Sequence, residues 1–72
     1  MTNDDPIKHV ATFDIGRRVS YQITGMPEPR YGRITGIATE VPDSTFVLFD
    51  DENWSTVTRL YCMRWEHVSG WL

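Results

Sequence analysis

Apolar and polar residues alternate along several short segments of the chain. Between residues 17 and 23, Val19, Tyr21 and Ile23 alternate with polar residues, which is the period-two pattern of a half-buried strand. Four further segments read as strands, at residues 31–41, 45–49, 54–58 and 65–68. Short strands with a turn about every eight to twelve residues are typical of an all-β barrel or sandwich. The pattern therefore predicts an all-β fold, with a five-stranded barrel as the most economical arrangement at this length.

Turn residues separate the predicted strands. The loop at residues 24–30 holds one glycine and two prolines, the segment 42–44 is a second turn, and residues 50–53 form an acidic turn. Gly32 and Gly36 fall inside the second predicted strand and indicate a bulge or sharp bend. Residues 59–64 are expected to contain a short helical turn before the last strand. In the fourth strand, Val57 is expected to face inward.

The two ends of the chain lie outside the predicted strands. We expect an N-terminal arm at residues 1–13, a barrel at 14–70 and a short tail at 71–72. Ile7, Val10 and Phe13 are three residues apart, so a short helical turn in the arm is one interpretation. An extended tail that pins Phe13 onto the barrel is the favoured one, since chain ends often fray.

Composition limits what the chain can do. Its 72 residues make one domain, and no second domain is available to build a catalytic cleft. The single cysteine, Cys62, permits no intramolecular disulfide, and it is expected to act as a small hydrophobe near the core. The start of the chain lacks the basic and apolar regions of a signal peptide, and no apolar stretch is long enough for a membrane span. We therefore expect a cytoplasmic protein with no membrane partner.

Charge is unevenly distributed along the chain, whose net charge is -3. Residues 16–36 contain four arginines and one glutamate, a balance of +3, and residues 37–58 contain five acidic residues, a balance of -5. The arginines at 17, 18, 30 and 33 could bind phosphate or carboxylate groups. Alternatively, they form a solvated face that pairs with the acidic half of the same domain. Antiparallel pairing of the first two strands would place Arg30 and Arg33 nearer to Ile23 than to Arg17.

The side chains that could carry chemistry are few. His9, Cys62 and His67 do not have the paired short spacings of a zinc site, and His67 is expected at the surface. The acidic turn at 50–53 is too short to supply the six to eight oxygens that calcium requires. No set of groups is spaced for nucleophilic attack or proton transfer. We expect no enzyme activity, no metal and no cofactor.

Four segments resemble the SH3-like barrels of the Tudor and KOW type. They are the opening at residues 16–21, the glycine-containing strand at 31–37, the strand and acidic turn at 47–51, and the closing strand at 63–68. The resemblance implies a five-stranded SH3-like barrel with a short helical turn before the last strand. By analogy with that pattern, Val47 and Phe49 fill the barrel. In size and style the chain also looks like the short accessory proteins of phages and prophages.

The resemblance also implies where a partner would bind. In such barrels, partners lie across aromatic and charged residues at the loop ends, which here correspond to Tyr21, Tyr31, Trp54 and Trp65. Of the tryptophans, Trp65 is assigned to the core and Trp54 to the surface. Phe46 and Leu48 then face outward and need cover from the N-terminal arm, from Trp71 and Leu72, or from another molecule. The full set of candidate partner-binding residues is Tyr21, Arg30, Tyr31, Arg33, Phe46, Leu48, Trp54 and Trp71.

Three functions are compatible with the sequence. The leading hypothesis is a non-enzymatic module that binds a protein through loop-end aromatics and an apolar strand face. The first alternative is a nucleic-acid-associated barrel that uses the arginines of the first two strands. The second is a homo-oligomeric structural protein.

Overall fold

A single antiparallel sheet of five short strands forms the framework of the protein. The computed structural model describes residues 5–66. The strands are β1 (Arg18–Tyr21), β2 (Arg30–Ile37), β3 (Ser44–Phe49), β4 (Ser55–Arg59) and β5 (Met63–Trp65), and one-turn 3-10 helices lie at Thr12–Asp14 and Leu60–Cys62. The order across the sheet is β4-β3-β2-β1-β5. The predicted all-β class is confirmed, as is the short helical turn before the last strand.

The core lies on one face of the sheet. Its buried apolar residues come from every strand except β4, from the N-terminal arm and from the second 3-10 helix: Ile7, Val10, Val19, Ile34, Val47, Phe49, Leu60 and Met63. Tyr21, Ile37 and Trp65 pack against this cluster from its margin. The inward orientation predicted for Val47 and Phe49 is confirmed, and Trp65 is half-buried at the edge of the core.

The second strand contains the irregularity that its two glycines led us to expect. The pairing of β2 with β3 shifts between Ile34 and Gly36, so Thr35 sits at a bulge. Gly32 lies directly between Val19 and Phe49 in the sheet, and a side chain there would have no room, because a Cβ atom would lie 2.6 Å from the Leu48 carbonyl oxygen. The strand ends at Ile37 rather than at Val41, since the following residues form the connection to β3.

The predictions for the start of the last strand and for the residue that anchors the N-terminal arm were also wrong, and the first strand ends at Tyr21 and not at Ile23. The last strand begins at Met63, two residues before the predicted Trp65, because the second 3-10 helix spans only Leu60–Cys62. Phe13 is 85% exposed and does not pin the arm. Ile7 and Val10 do so instead: both side chains are buried, and the Ile7 amide donates to the Met63 carbonyl at 3.0 Å. His67, Trp71 and the end of the predicted fifth strand lie outside the described residues.

The orientation predicted for Val57 was also wrong. Val57 is 43% exposed and pairs with Phe46 on the face away from the core. Thr58 points inward in its place, and its hydroxyl donates to the Thr56 carbonyl at 3.1 Å. Because that internal hydrogen bond satisfies the hydroxyl, a threonine can occupy the buried position and valine can occupy the exposed one.

Candidate binding surface

The face of the sheet opposite the core carries the side chains that a partner could touch. Cross-strand register aligns Arg33 of β2 with Leu48 of β3 and Ser55 of β4, and it aligns Phe46 with Val57 in the neighbouring row. Tyr31 precedes Arg33 by two residues on the same side of β2. We call this surface the outer face: Tyr31, Arg33, Phe46, Leu48, Ser55 and Val57.

The apolar part of the outer face is only partly covered. Phe46 and Leu48 are half-buried, and Val57 is exposed. A groove of about 260 Å³ runs beside Phe46 and Val57, and its other wall is formed by Ile37 at the end of β2 and by residues 38–41 of the connection to β3. Among the described residues, those that line this groove opposite Phe46 come from the end of β2 and the connection, not from the N-terminal arm.

Arg18 is held by the acidic turn between β3 and β4. Its guanidinium makes two hydrogen bonds of 2.7 Å to the two carboxylate oxygens of Asp50, and its Nε lies 3.7 Å from a carboxylate oxygen of Glu66. The bidentate hydrogen bond lowers the pKa of Asp50 and raises the pKa of Arg18. Both partners are partly exposed, so the pair fixes geometry more than it adds stability.

Arg30 is held at the other end of the same turn. Its guanidinium lies over the Phe49 ring, 4.0 Å from the centroid, and donates to Asp51 at 2.9 Å, with Glu52 at 3.4 Å. The hydrogen bond from Arg30 lowers the pKa of Asp51 and raises that of Arg30. The rings of Phe49 and Tyr21 also meet edge to face, with centroids 5.7 Å apart. Two of the predicted site residues, Tyr21 and Arg30, are thus tied into one internal cluster.

Arg17 is held by Asp14, which lies outside the acidic turn. It donates to Asp14 at 2.9 Å and lies over the Trp65 ring at 3.9 Å from the centroid. The buried Asp14 carboxylate also accepts the Ala11 amide at 2.9 Å. That backbone hydrogen bond is the main cause of a lowered pKa for Asp14, with Arg17 adding to it and burial opposing it.

Arg33 stands apart from the other three arginines of the predicted patch. Within residues 5–66 no carboxylate lies within ion-pair distance of it, and its charge contributes to the lowered pKa of Asp50 less than that of Arg18 does. It sits directly across from Arg18 in the β1–β2 ladder, whereas Arg30 pairs with Tyr21. The expected position of Arg33 near Ile23 was therefore wrong, because the loop between the strands takes up residues 22–29. The interpretation of the arginines as partners of the chain's own acidic half is confirmed for Arg18 and Arg30.

The structure separates the predicted site residues into groups. Tyr31, Arg33, Phe46 and Leu48 share the outer face. Trp54, which is 64% exposed, lies in the turn just before β4, as its surface assignment predicted. Tyr21 and Arg30 belong to the cluster around Phe49, at the mouth of a groove of about 200 Å³ that half-buried Cys62 also lines. Trp71 lies outside the described residues.

Sequence reasoning missed several exposed apolar residues. Val57 was assigned to the core, and neither Ile23 nor Tyr61, which is 64% exposed, was predicted as a contact residue. Ile23 and Tyr61 line an open groove at the far end of β1, away from the outer face. Leu60 and Tyr61 are consecutive residues of a one-turn helix, so only one of them can face the core. The sequence did not show that Leu60 would be the buried one.

The described residues hold neither a metal cluster nor a membrane-spanning helix. Across residues 5–66, no three side chains of the His, Cys, Asp and Glu types come together as a metal site would require. The helices in this part of the chain are single 3-10 turns, none of them long and apolar enough to cross a bilayer.

Comparison with protein-family models, with curated proteins and with solved structures found no match. What the outer face could bind therefore has to follow from its own geometry and charge.

Proposed function

We propose that this chain is a non-enzymatic interaction module that binds a protein through the outer face and through Trp54, the exposed residue that precedes Ser55 in the chain. The observation that carries the proposal is the internal neutralisation of the arginines. Arg17, Arg18 and Arg30 each donate to a carboxylate of the same chain. The outer face beside them holds three apolar side chains and one aromatic hydroxyl side chain together with Arg33 and Ser55, and this mostly apolar composition suits a protein partner better than a polyanion.

The proposed scaffold is an SH3-like barrel. The order β4-β3-β2-β1-β5, the bulge in β2 and the 3-10 turn between β4 and β5 support it. A relationship to phage or prophage accessory proteins stays a prediction.

The chemistry of the outer face suggests what a partner should present. Leu48 and Phe46 offer apolar area, and Tyr31 and Trp54 offer aromatic rings. Arg33 offers a guanidinium that makes no ion pair within residues 5–66, although its charge acts on Asp50 from a longer distance. A matching surface would carry an apolar segment flanked by one carboxylate that reaches Arg33. Such a pair would form at the rim of the contact and would contribute more to orientation than to affinity.

Site-specific photo-crosslinking tests the proposal. A benzophenone amino acid replaces Trp54 in one variant and Tyr61 in a matched control. Both side chains are 64% exposed, but Trp54 directly precedes Ser55 of the outer face, whereas Tyr61 lines the groove beside Ile23. Each variant is irradiated in lysate of the source cells, with and without nuclease. We expect a protein adduct at position 54 that survives nuclease and a rise to about 0.5 M NaCl, because an apolar contact is not weakened by counterions as phosphate binding is.

The outcomes separate the alternatives. An adduct at position 54 that disappears with nuclease or falls steeply with salt would favour the nucleic-acid alternative. Equal labelling at positions 54 and 61 would mean that the outer face is not the binding surface. Once a partner has been identified, Trp54→Ala should weaken the binding of this chain to that partner by about tenfold or more, as at an interface hot spot. Tyr61→Ala should leave the affinity unchanged.

A further inference from the structure

We propose that a second copy of this chain pairs with the edge of β4 that no strand of residues 5–66 occupies, strand against strand, around a two-fold axis at Val57. The pairing goes beyond the proposed function, since it uses the backbone edge of the sheet and its occupant is the same protein.

The backbone of β4 has one unpaired side among the described residues. Within residues 5–66, β4 pairs with β3 alone, and β5 pairs with β1 at the opposite end of the sheet. The five residues of β4 are rich in threonine and valine, which favour extended backbone. The edge carries neither a proline nor a bulge, and its one charged residue is Arg59. Natural edge strands usually carry such features to prevent pairing with another chain.

The register shows which backbone groups point away from the sheet. The Leu60 amide donates to the Asp43 carbonyl at 2.8 Å, which makes these two residues a hydrogen-bonding pair of the β3–β4 ladder. Backbone groups alternate between the two sides of a strand. Thr56 and Thr58 therefore face β3, and the amides and carbonyls of Ser55, Val57 and Arg59 face away from it.

This edge is complementary to itself. If two copies of β4 run antiparallel with Val57 opposite Val57, each Ser55 lies opposite an Arg59 of the other copy, and the outward-facing groups of all three residues meet in hydrogen-bonding pairs. The exposed Val57 side chains come together beside Phe46 of each copy. Within residues 5–66 Arg59 has no ion pair. The pairing places it beside Ser55 of the other copy, close to that copy's acidic turn.

The expected dimer is weak. Five residues on each side form a contact well below the roughly 1,200 Å² that stable complexes bury, and each copy has a net charge of -3. We therefore expect dissociation constants on the order of 10–1,000 µM, so the monomer predominates in dilute solution and the dimer at high local concentration.

Sedimentation of the purified full chain across that concentration range tests the proposal. Wild-type mass should rise from one copy toward two. Val57→Lys and Val57→Glu should each remain monomeric, because like charges would then lie directly opposite each other. An equimolar mixture of the two variants should recover the dimer, since the ammonium of one copy would then face the carboxylate of the other. Ile23→Lys is the matched control, with a β-branched side chain of similar exposure (45% against 43%) and the same change in charge, and it should dimerise as wild type does.

Hydrogen exchange on the wild type provides a test without any substitution. The amides of Ser55, Val57 and Arg59 should exchange more slowly as concentration rises, while those of Thr56 and Thr58, which already donate to β3, should not change. A wild-type mass of one copy up to about 1 mM would overturn the proposal, as would a mixture of the two variants that stays monomeric while wild type dimerises. A mass of two copies with no concentration-dependent protection at residue 57 would place the contact elsewhere and would also overturn it.

Discussion

Replacement of Gly32 by alanine should destabilise the protein more than the small size of the added methyl group suggests. Gly32 lies in the middle of the sheet, where β2 is flanked by β1 and β3. A Cβ atom at this position would lie 2.6 Å from the Leu48 carbonyl oxygen, 3.0 Å from the Phe49 Cα and 3.0 Å from the Val47 Cγ1. Two of these three atoms belong to the backbone of β3, so no rotamer change can relieve the contact and the strands themselves must separate.

The size of the effect follows from two opposing contributions. Overpacking in a close-packed interior costs about 1–3 kcal/mol, and contact with backbone atoms points to the upper end of that range. Alanine also restricts the unfolded chain more than glycine does, which offsets about 0.4–1 kcal/mol of that cost. The net loss should be about 2 kcal/mol, a decrease of about 8–16 °C in the melting temperature of a domain this small.

Gly36→Ala is the matched control in the same strand. A Cβ atom there would meet the Phe46 Cδ2 at 3.4 Å and no backbone atom within 4 Å among its three nearest neighbours, which is an ordinary contact. Thermal melts followed by tryptophan fluorescence should show Gly32→Ala well below wild type and Gly36→Ala within a few degrees of it. A Gly32→Ala chain that melts as wild type does would refute the close packing of β2 on β3.

Three further substitutions test the core and its polar contacts. Val47→Asp places an unpaired carboxylate at a fully buried position and should abolish the cooperative melt. Thr45→Val removes a hydroxyl that donates to the Gly36 carbonyl at 2.6 Å, and urea unfolding should show a loss of about 1–3 kcal/mol. Asp14→Asn removes the charge that pairs with Arg17 and should cost about 1–2 kcal/mol at pH 7, a difference measurable in urea unfolding curves recorded at several pH values.

The pH dependence of the Asp14 effect has a definite sign. The pKa of Asp14 is lowered in the folded protein relative to its ordinary value of 3.8, so its ionised form stabilises the fold at pH values above 3.8. That stabilisation is lost as the pH falls below 3.8 through the lowered pKa. The difference between wild type and Asp14→Asn should therefore shrink in acid, and a difference that stays constant down to about pH 2 would contradict the ion pair.

Val47→Asp and Thr45→Val each have a control on the same sheet. Leu48→Asp changes the neighbouring residue on the outer face and should still melt cooperatively, whereas a folded Val47→Asp would mean that the two faces of β3 are reversed. Thr56→Val removes an exposed hydroxyl that donates weakly to Glu52 at 3.3 Å, and its effect should stay below about 0.5 kcal/mol. An equal loss for Thr45→Val and Thr56→Val would argue against the buried hydrogen bond.

The parts of the fold that could be predicted from sequence are those that local pattern decides. Val47 and Phe49 alternate with two other apolar residues, and the resemblance to a barrel strand was needed to choose between the faces. The bulge near Gly36 could be anticipated, because a glycine inside a strand often marks a bulge or a tight bend. Val57 was misplaced because it is the single apolar residue of its strand, and hydropathy alone does not reveal that Thr58 can satisfy its own hydroxyl.

The candidate surface was less predictable than the fold. Exposure of Trp54 was anticipated, but the pairing of Arg18 with Asp50 joins residues 32 positions apart and depends on the register of two ladders. The same long-range register puts Arg33 opposite Arg18 and leaves Arg30 over Phe49. Local sequence therefore identified the arginines as a group but could not determine which of them the acidic turn would hold.

The amide of Ile7 reaches the Met63 carbonyl, and β1 lies between β2 and β5. An early part of the chain thus depends on a late part to complete its hydrogen bonds and to bury its side chains. The strands β1 to β4 pair with their neighbours in sequence through short connections, but the core can close only after β5 has joined β1. Closure of so long a loop is slow compared with hairpin formation. The local strand pairs should therefore form first, and the core should close in one late step of folding.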